Sequence, residues 1–254
     1  MNVIIAGSGT GIPLKDRASP SIILFPKNGP VLMDMGPGTL RRLAGLGIPH
    51  DRLRQIFITH FHPDHTADLI AFLFATRNPS VLKKRAPFRI TGPRGLGDFL
   101  LNLQKIYQNW VSIPPEIMEI EELNVEKPGD KTYGDFKLSY RHVSHNPESL
   151  AYRIEGPLGE SLVYSGDTGP CDEIIDLSRK VDMLILECSF PEGREMEGHL
   201  TPGLAGSIAA QAKARKLVLL HFYPEVLITD IVRDCRKAFG GELIVGRDSL
   251  HLSV

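Results

Sequence analysis

The 254-residue chain is read as an α/β protein in which two sheets pack together with helices outside. Three observations support this. Short apolar runs alternate with amphipathic stretches, 24 Gly and 19 Pro mark many of the joints, and the same succession of strands followed by strand–helix units occurs in each half. In the first half strands are predicted at Asn2–Ala6, Ser21–Phe25, Val31–Asp34, Gln55–Thr59 and Phe88–Thr91, with helices at Gly38–Leu46, Thr66–Thr76 and Leu96–Gln108. In the second half strands are predicted at Phe136–Val143, Leu150–Glu155, Ser161–Ser165, Met183–Glu187, Leu217–His221 and Glu242–Val245, with helices at Asp172–Arg179, Pro202–Ala214 and Ile228–Phe239. The join is placed near Glu126–Asp130, where Pro128 and Gly129 break the pattern. Nothing resembles a flexible linker, so one domain over residues 1–254 is expected, with halves of about 1–127 and 128–254.

Composition narrows the function. With 29 Lys+Arg against 30 Asp+Glu the net charge is −1, which removes any global electrostatic case for nucleic-acid binding. No run approaches the roughly 20 apolar residues of a bilayer span. Met1 to Ala6 begins a strand rather than a signal peptide, and the three cysteines are too few and too widely spaced for a disulfide framework. The expected location is therefore the cytoplasm.

Chemistry concentrates in Thr59-His60-Phe61-His62-Pro63-Asp64-His65, where three of the nine histidines fall within six residues. If the preceding strand extends that far, His60 and His62 project to one side and suit a single metal. Asp64 and His65, at the turn into the helix, reach a second metal about 3.5–4 Å away. Such a string arises by chance in roughly one in a thousand sequences of this length. One segment cannot complete two coordination shells. His145, Asp167 and His221 each follow or end a predicted strand and are the candidates to complete them.

Together these residues resemble the metallo-β-lactamase superfamily, over nearly the whole chain. The resemblance implies a four-layer αββα sandwich with metals at the sheet edges. It also implies that His60, His62 and His145 hold one metal, Asp64, His65 and His221 a second, and that Asp167 bridges both. Asp at 167, where β-lactamases use Cys, and His at 62, where diiron oxygen reductases carry Glu, point away from antibiotic hydrolysis and redox chemistry.

Gly7-Ser8-Gly9-Thr10-Gly11-Ile12-Pro13 with Leu14-Lys15-Asp16-Arg17, Thr91-Gly92-Pro93-Arg94-Gly95-Leu96, and Gly198-His199-Leu200-Thr201 leading to Leu219-Leu220-His221-Phe222 are similar to the ribonuclease Z branch and its phosphodiesterase relatives. The implied activity is hydrolysis of a phosphodiester with two zinc ions, manganese or iron being alternatives. Asp64 would handle the proton of the nucleophilic water, and His199 would act on the leaving-group side.

There is a departure. Only 21 residues separate His145 from Asp167, too few for the arm with which ribonuclease Z enzymes grip tRNA, and the final motif continues Tyr223-Pro224-Glu225 instead of with Ser and Arg. RNA 3′ ends and small esters (a cyclic phosphate, a sulfate ester or a lactone) thus compete as substrates. A homodimer is a candidate assembly, and a metal-bound binding or sensor protein is the non-enzyme alternative. Lys83-Lys84-Arg85 and Arg41-Arg42 are the basic runs available to a nucleic acid.

Overall fold

A computed structural model describes residues 1–254. Two seven-stranded mixed sheets lie face to face. The first has the order β14-β1-β2-β3-β4-β5-β6 and the second β13-β12-β11-β10-β9-β8-β7. The strands are β1 (Asn2–Gly7), β2 (Ser21–Phe25), β3 (Val31–Met33), β4 (Gln55–Phe57), β5 (Phe88–Pro93), β6 (Met118–Leu123), β7 (Gly129–Tyr133), β8 (Phe136–His142), β9 (Leu150–Glu155), β10 (Ser161–Tyr164), β11 (Met183–Glu187), β12 (Lys216–Leu220), β13 (Glu242–Val245) and β14 (Leu250–Ser253). Helices α1 (Thr39–Gly45), α2 (Pro63–Thr66), α3 (Asp68–Arg77), α4 (Pro79–Leu82) and α5 (Leu96–Tyr107) accompany the first sheet. Helices α6 (Asp172–Leu177), α7 (Pro202–Ala212), α8 (Pro224–Leu227) and α9 (Ile231–Arg236) accompany the second.

The apolar runs are near-continuous because the strands bury both faces. On β1, Val3 and Ile5 enter the core between the sheets, whereas Ile4 and Ala6 face the helices. On β11, Met183 and Ile185 turn inward and Leu184 and Leu186 outward. Strand periodicity thus generates three separate cores, one for each interface of the four layers.

The sheets repeat one plan. In each, four neighbouring strands, β14-β1-β2-β3 in the first and β7-β8-β9-β10 in the second, pair antiparallel, and the remaining pairings are parallel. The expected halves need one correction, since β14, from the end of the chain, pairs with β1 and completes the first sheet.

Every expected strand is present to within two residues at either end, but β6, β7 and β14 were not foreseen, and β7 begins inside the stretch expected as the join. The helix expected over Ile228–Phe239 is shorter, reduced to α9 at Ile231–Arg236, and the short α8 precedes it. Asp230 leaves helical geometry and its carboxylate accepts from the Arg233 N–H at 3.0 Å, so a new helix starts there. The helix expected from Thr66 begins earlier, with Pro63 at its first position. No helix is long and apolar enough to cross a membrane.

Phe57 is the central contact between the sheets. It is fully buried, with ring centroids of Tyr133, Phe136 and Tyr152 from the opposite sheet at 5.2, 6.3 and 5.6 Å. Phe57→Ala is expected to cost about 3–5 kcal/mol, read as a lowered denaturation midpoint at unchanged slope. A change below about 1 kcal/mol would show that the inter-sheet core does not depend on this ring.

Candidate metal centre

The strand ends at one edge of the sandwich turn their side chains into a common crevice. After β3 and β12 the chain bends through left-handed backbone at Asp34 (φ 58°) and His221 (φ 57°), conformations that cost non-glycine residues about 1–2 kcal/mol. Two glycines permit the close approach of the loops. A Cβ on Gly36 would lie 1.9 Å from the Asp64 carbonyl oxygen, and one on Gly166 would lie 2.8 Å from Thr59 Cβ.

All seven sequence candidates converge. One ligand atom from each of His60, His62, His145 and Asp167 lies within 4.8 Å of the others, and the same holds for Asp64, His65 and His221. Asp167 faces both groups. Its Oδ1 is 3.1 Å from His65 Nε2 and 3.3 Å from His221 Nε2, while its Oδ2 is 3.8 Å from Nε2 of both His60 and His145. Although β4 stops at Phe57, the His60 and His62 rings are still only 4.7 Å apart. Asp64 sits in the first turn of α2 and does not cap it. His142 lies outside the cluster, its ring against the Asn146 carbonyl at 3.2 Å.

The imidazoles are fixed in tautomer as well as position. Nδ1 of His145 donates to the Gly198 carbonyl at 3.0 Å and Nδ1 of His65 to Asp34 at 2.7 Å, which leaves each Nε2 as a lone pair. Ser189 gives its proton to Glu187 (2.5 Å) and so accepts from His221 Nδ1 (2.8 Å). Thr59 gives its proton to Asp34 and so accepts from His60 Nδ1 at 3.0 Å. His62 is reversed. Its Nε2 meets the Asn146 amide at 3.0 Å, and its Nδ1 stands 3.3 Å from His145 Nε2. There the Asn146 amide nitrogen donates to Nε2, and Nδ1 is the ring nitrogen that faces the crevice.

Nε2 of His60, Nε2 of His65 and Oδ1 of Asp167 are buried without a hydrogen bond. Orphaned buried atoms aimed at one point, all nitrogen or carboxylate oxygen, are the donor set a divalent metal takes.

Two carboxylates that sequence reasoning missed hold this arrangement. Asp34, fully buried, accepts from Thr59 N (2.8 Å), Thr59 Oγ1 (2.9 Å), His65 Nδ1 (2.7 Å) and, across the sandwich, the Tyr164 hydroxyl (2.8 Å). Glu187, also buried, accepts from Thr168 N (2.9 Å), Ser189 Oγ, Leu200 N (3.1 Å) and His199 Nδ1 (2.8 Å). The sequence carried a signal for both, a carboxylate closing an apolar strand.

Charges follow from these contacts. Burial, reinforced by the neighbouring His65, holds His60 well below the usual imidazole range. Burial opposes the protonated form of His65 too, but Asp167 and Asp34 outweigh it and raise its pKa well above that range. Burial would raise Asp167, yet the charges of His221, His65 and His60 pull it well below the usual carboxylate range. His199 is raised because the hydrogen bond and charge of Glu187 overcome burial. Burial, then Asp64 and Asp167, push the Tyr223 phenol up to about 12.

The basic runs are partly committed elsewhere. Arg85 is buried, donating to Thr76 Oγ1 and the Leu53 carbonyl with its guanidinium 3.9 Å from the Phe88 ring centroid, and Arg42 pairs with Asp248 at 2.6 Å.

Two facing mixed sheets with helices outside and a His/Asp cluster at the strand ends define the metallo-β-lactamase fold class. The comparisons agree. A family model described as a beta-lactamase superfamily domain matches residues 30–222. Ribonuclease Z of Pyrococcus horikoshii is 31% identical over 271 aligned positions, which cover 88% of this chain and 87% of the relative. Ribonuclease BN of Escherichia coli is 26% identical over 299 positions, covering 94% and 95%.

Among solved structures, the metallo-beta-lactamase fold protein YhfI from Bacillus subtilis matches with a TM-score of 0.85 at 23% identity over 99% of both chains. The short form of human tRNase Z matches at 0.80 and 23% identity, over 100% of this chain and 99% of that one. The chain belongs to the beta-lactamase superfamily, in the ribonuclease Z-like branch of its metallo-β-lactamase-fold hydrolases.

Asp34→Asn keeps the shape but turns an acceptor-only group into one that also donates, and it releases His65 from its tautomer. The variant is expected to lose 10- to 100-fold in affinity for zinc in a chelator competition, with secondary structure retained by circular dichroism. Unchanged affinity would mean that Asp34 serves only the fold.

Proposed function

We propose that the protein is a two-zinc phosphodiesterase whose whole chain, residues 1–254, acts as one catalytic domain. The observation that carries this reading is Asp167, whose two oxygens face two separate sets of ligand atoms. His60, His62 and His145 would hold one cation, Asp64, His65 and His221 the other, with Asp167 between them. Zinc is favoured because the donors are imidazole and carboxylate without thiolate; manganese or iron suits the same donors less selectively. The three free cysteines fit a reducing cytoplasm.

When bound, such cations supply Lewis acidity and lower the pKa of a coordinated water. The chain's own groups do the rest. Asp64 Oδ2 is 3.4 Å from His221 Nε2, and the carboxylate takes up the proton of the attacking water. His199, kept protonated by Glu187, gives its proton to the departing alkoxide. Its commitment to Glu187 favours this role over that of an additional ligand, although it lies within 4.8 Å of Asp167 and His221.

The interval from His145 to Asp167 is filled by β9, a short turn and β10, with no room for an RNA-gripping arm. This supports a small phosphodiester over a transfer RNA.

Zinc-loaded protein is expected to contain close to two metal ions per chain by mass spectrometry, and Asp167→Ala to hydrolyse bis(p-nitrophenyl) phosphate at least 100-fold more slowly. A chain that stays metal-free in excess zinc would sink the proposal. His199→Ala should lose far more rate with an alkyl leaving group than with p-nitrophenolate. Glu187→Gln removes the charge that raises the His199 pKa, so the acid form is lost at lower pH and the alkaline limb of kcat moves acidward. An unmoved limb together with equal losses on both esters would remove His199 as the acid.

A further inference from the structure

Phe190 and Tyr223 are aromatic residues that none of the three cores uses. They stack on each other, with centroids 4.8 Å apart and planes at 19°, and both are only half-buried. They stand against the metal centre, for Phe190 is 5.5 Å from the His199 ring and Tyr223 is 5.9 Å from the His221 ring. Phe222, between them and the helices, is by contrast fully buried, so the chain turns its core-filling ring inward and leaves Tyr223 at the rim.

A flat aromatic surface one ring away from a group that handles the leaving alkoxide is a place for a planar group of the substrate. The surrounding charge says which kind. Glu225 lies two residues beyond Tyr223, and Glu192, Glu195 and Glu197 follow Phe190 in the chain; all four are exposed, with Arg194 the one cation between residues 192 and 197. A phosphate backbone continuing past the pair would run into a segment dominated by negative charge. A neutral base ending there meets only the rings.

We propose that Phe190 and Tyr223 form a stacking subsite for the nucleobase of a short nucleotide diester, so that this side of the crevice accepts one nucleoside and no further phosphates. The proposal rests on the phosphodiesterase reading, and it names the substrate class for that same centre. Stacking of one base corresponds to a preference of about 10- to 100-fold.

The test uses the zinc-loaded full chain and compares binding of adenosine 5′-monophosphate with that of ribose 5-phosphate by calorimetry. Adenosine 5′-monophosphate is expected to bind about 10- to 100-fold tighter. Tyr223→Ala and Phe190→Ala should each bring the ratio towards one, and Tyr223→Phe should retain it, with melting temperatures recorded for all three. Equal affinities for the two ligands in the unmodified chain, or a ratio untouched by both alanine variants, would overturn the subsite. A 3′-extended transfer RNA cleaved with higher kcat/KM than a dinucleotide would overturn the short substrate. Base-dependent binding without hydrolysis of any diester would count against the phosphodiesterase reading and leave the subsite standing. Hydrolysis with a ratio near one would do the reverse.

Discussion

The arrangement rests on a carboxylate with no access to water. Asp34 lies where the two sheets meet and receives hydrogen bonds from Thr59 and His65 of the first half and from Tyr164 of the second. A carboxylate so placed is tolerable only when its acceptor sites are filled, so each donor is held by the cost of leaving the others unmatched. The same bonds fix the His65 tautomer and, through Thr59, that of His60. The seam between the sheets and the orientation of two ligands are therefore one structural problem with one solution.

Glu187 solves the corresponding problem in the second half, where it holds His199 directly and His221 through Ser189. Each half thus supplies a buried acid at a strand end, and each acid aims imidazoles into the crevice. Two hydrogen bonds to backbone carbonyls close the seam beside them, from Leu150 N to Thr59 at 3.0 Å and from the Tyr152 hydroxyl to Ile58 at 2.6 Å. Rigid strand ends, rather than long loops, set the ligand positions.

What the sequence revealed follows the same physics. The donor cluster was legible because H-x-H-x-D-H compresses four potential donors into one turn, and strands with two buried faces were legible as apolar runs. β6, with its alternating glutamates, β7 and β14 lie at sheet margins where one face meets solvent, so their composition reads as loop. Asp34 and Glu187 were passed over as strand punctuation. Yet a carboxylate ending a wholly apolar run has nowhere to go except to buried donors, and that inference needs no structure. The helix start after Asp230 was equally available, as Thr-Asp before an apolar residue is such a start.

The protonation pattern explains how such a site stays assembled. Five imidazoles and two carboxylates crowd together with lone pairs pointing inward. The balance is uneven, since burial and its neighbours disfavour a proton on His60 while Asp167 and Asp34 favour one on His65. Metal and proton compete for the same atoms, so uptake of the one must release the other, and affinity must fall as the pH is lowered. The geometry is preserved across that exchange because Nδ1 of each inward-facing Nε2 imidazole is tied to a partner outside the cluster. A site built in this way is organised by the fold before any cation arrives, and a cation therefore stabilises the fold by binding it.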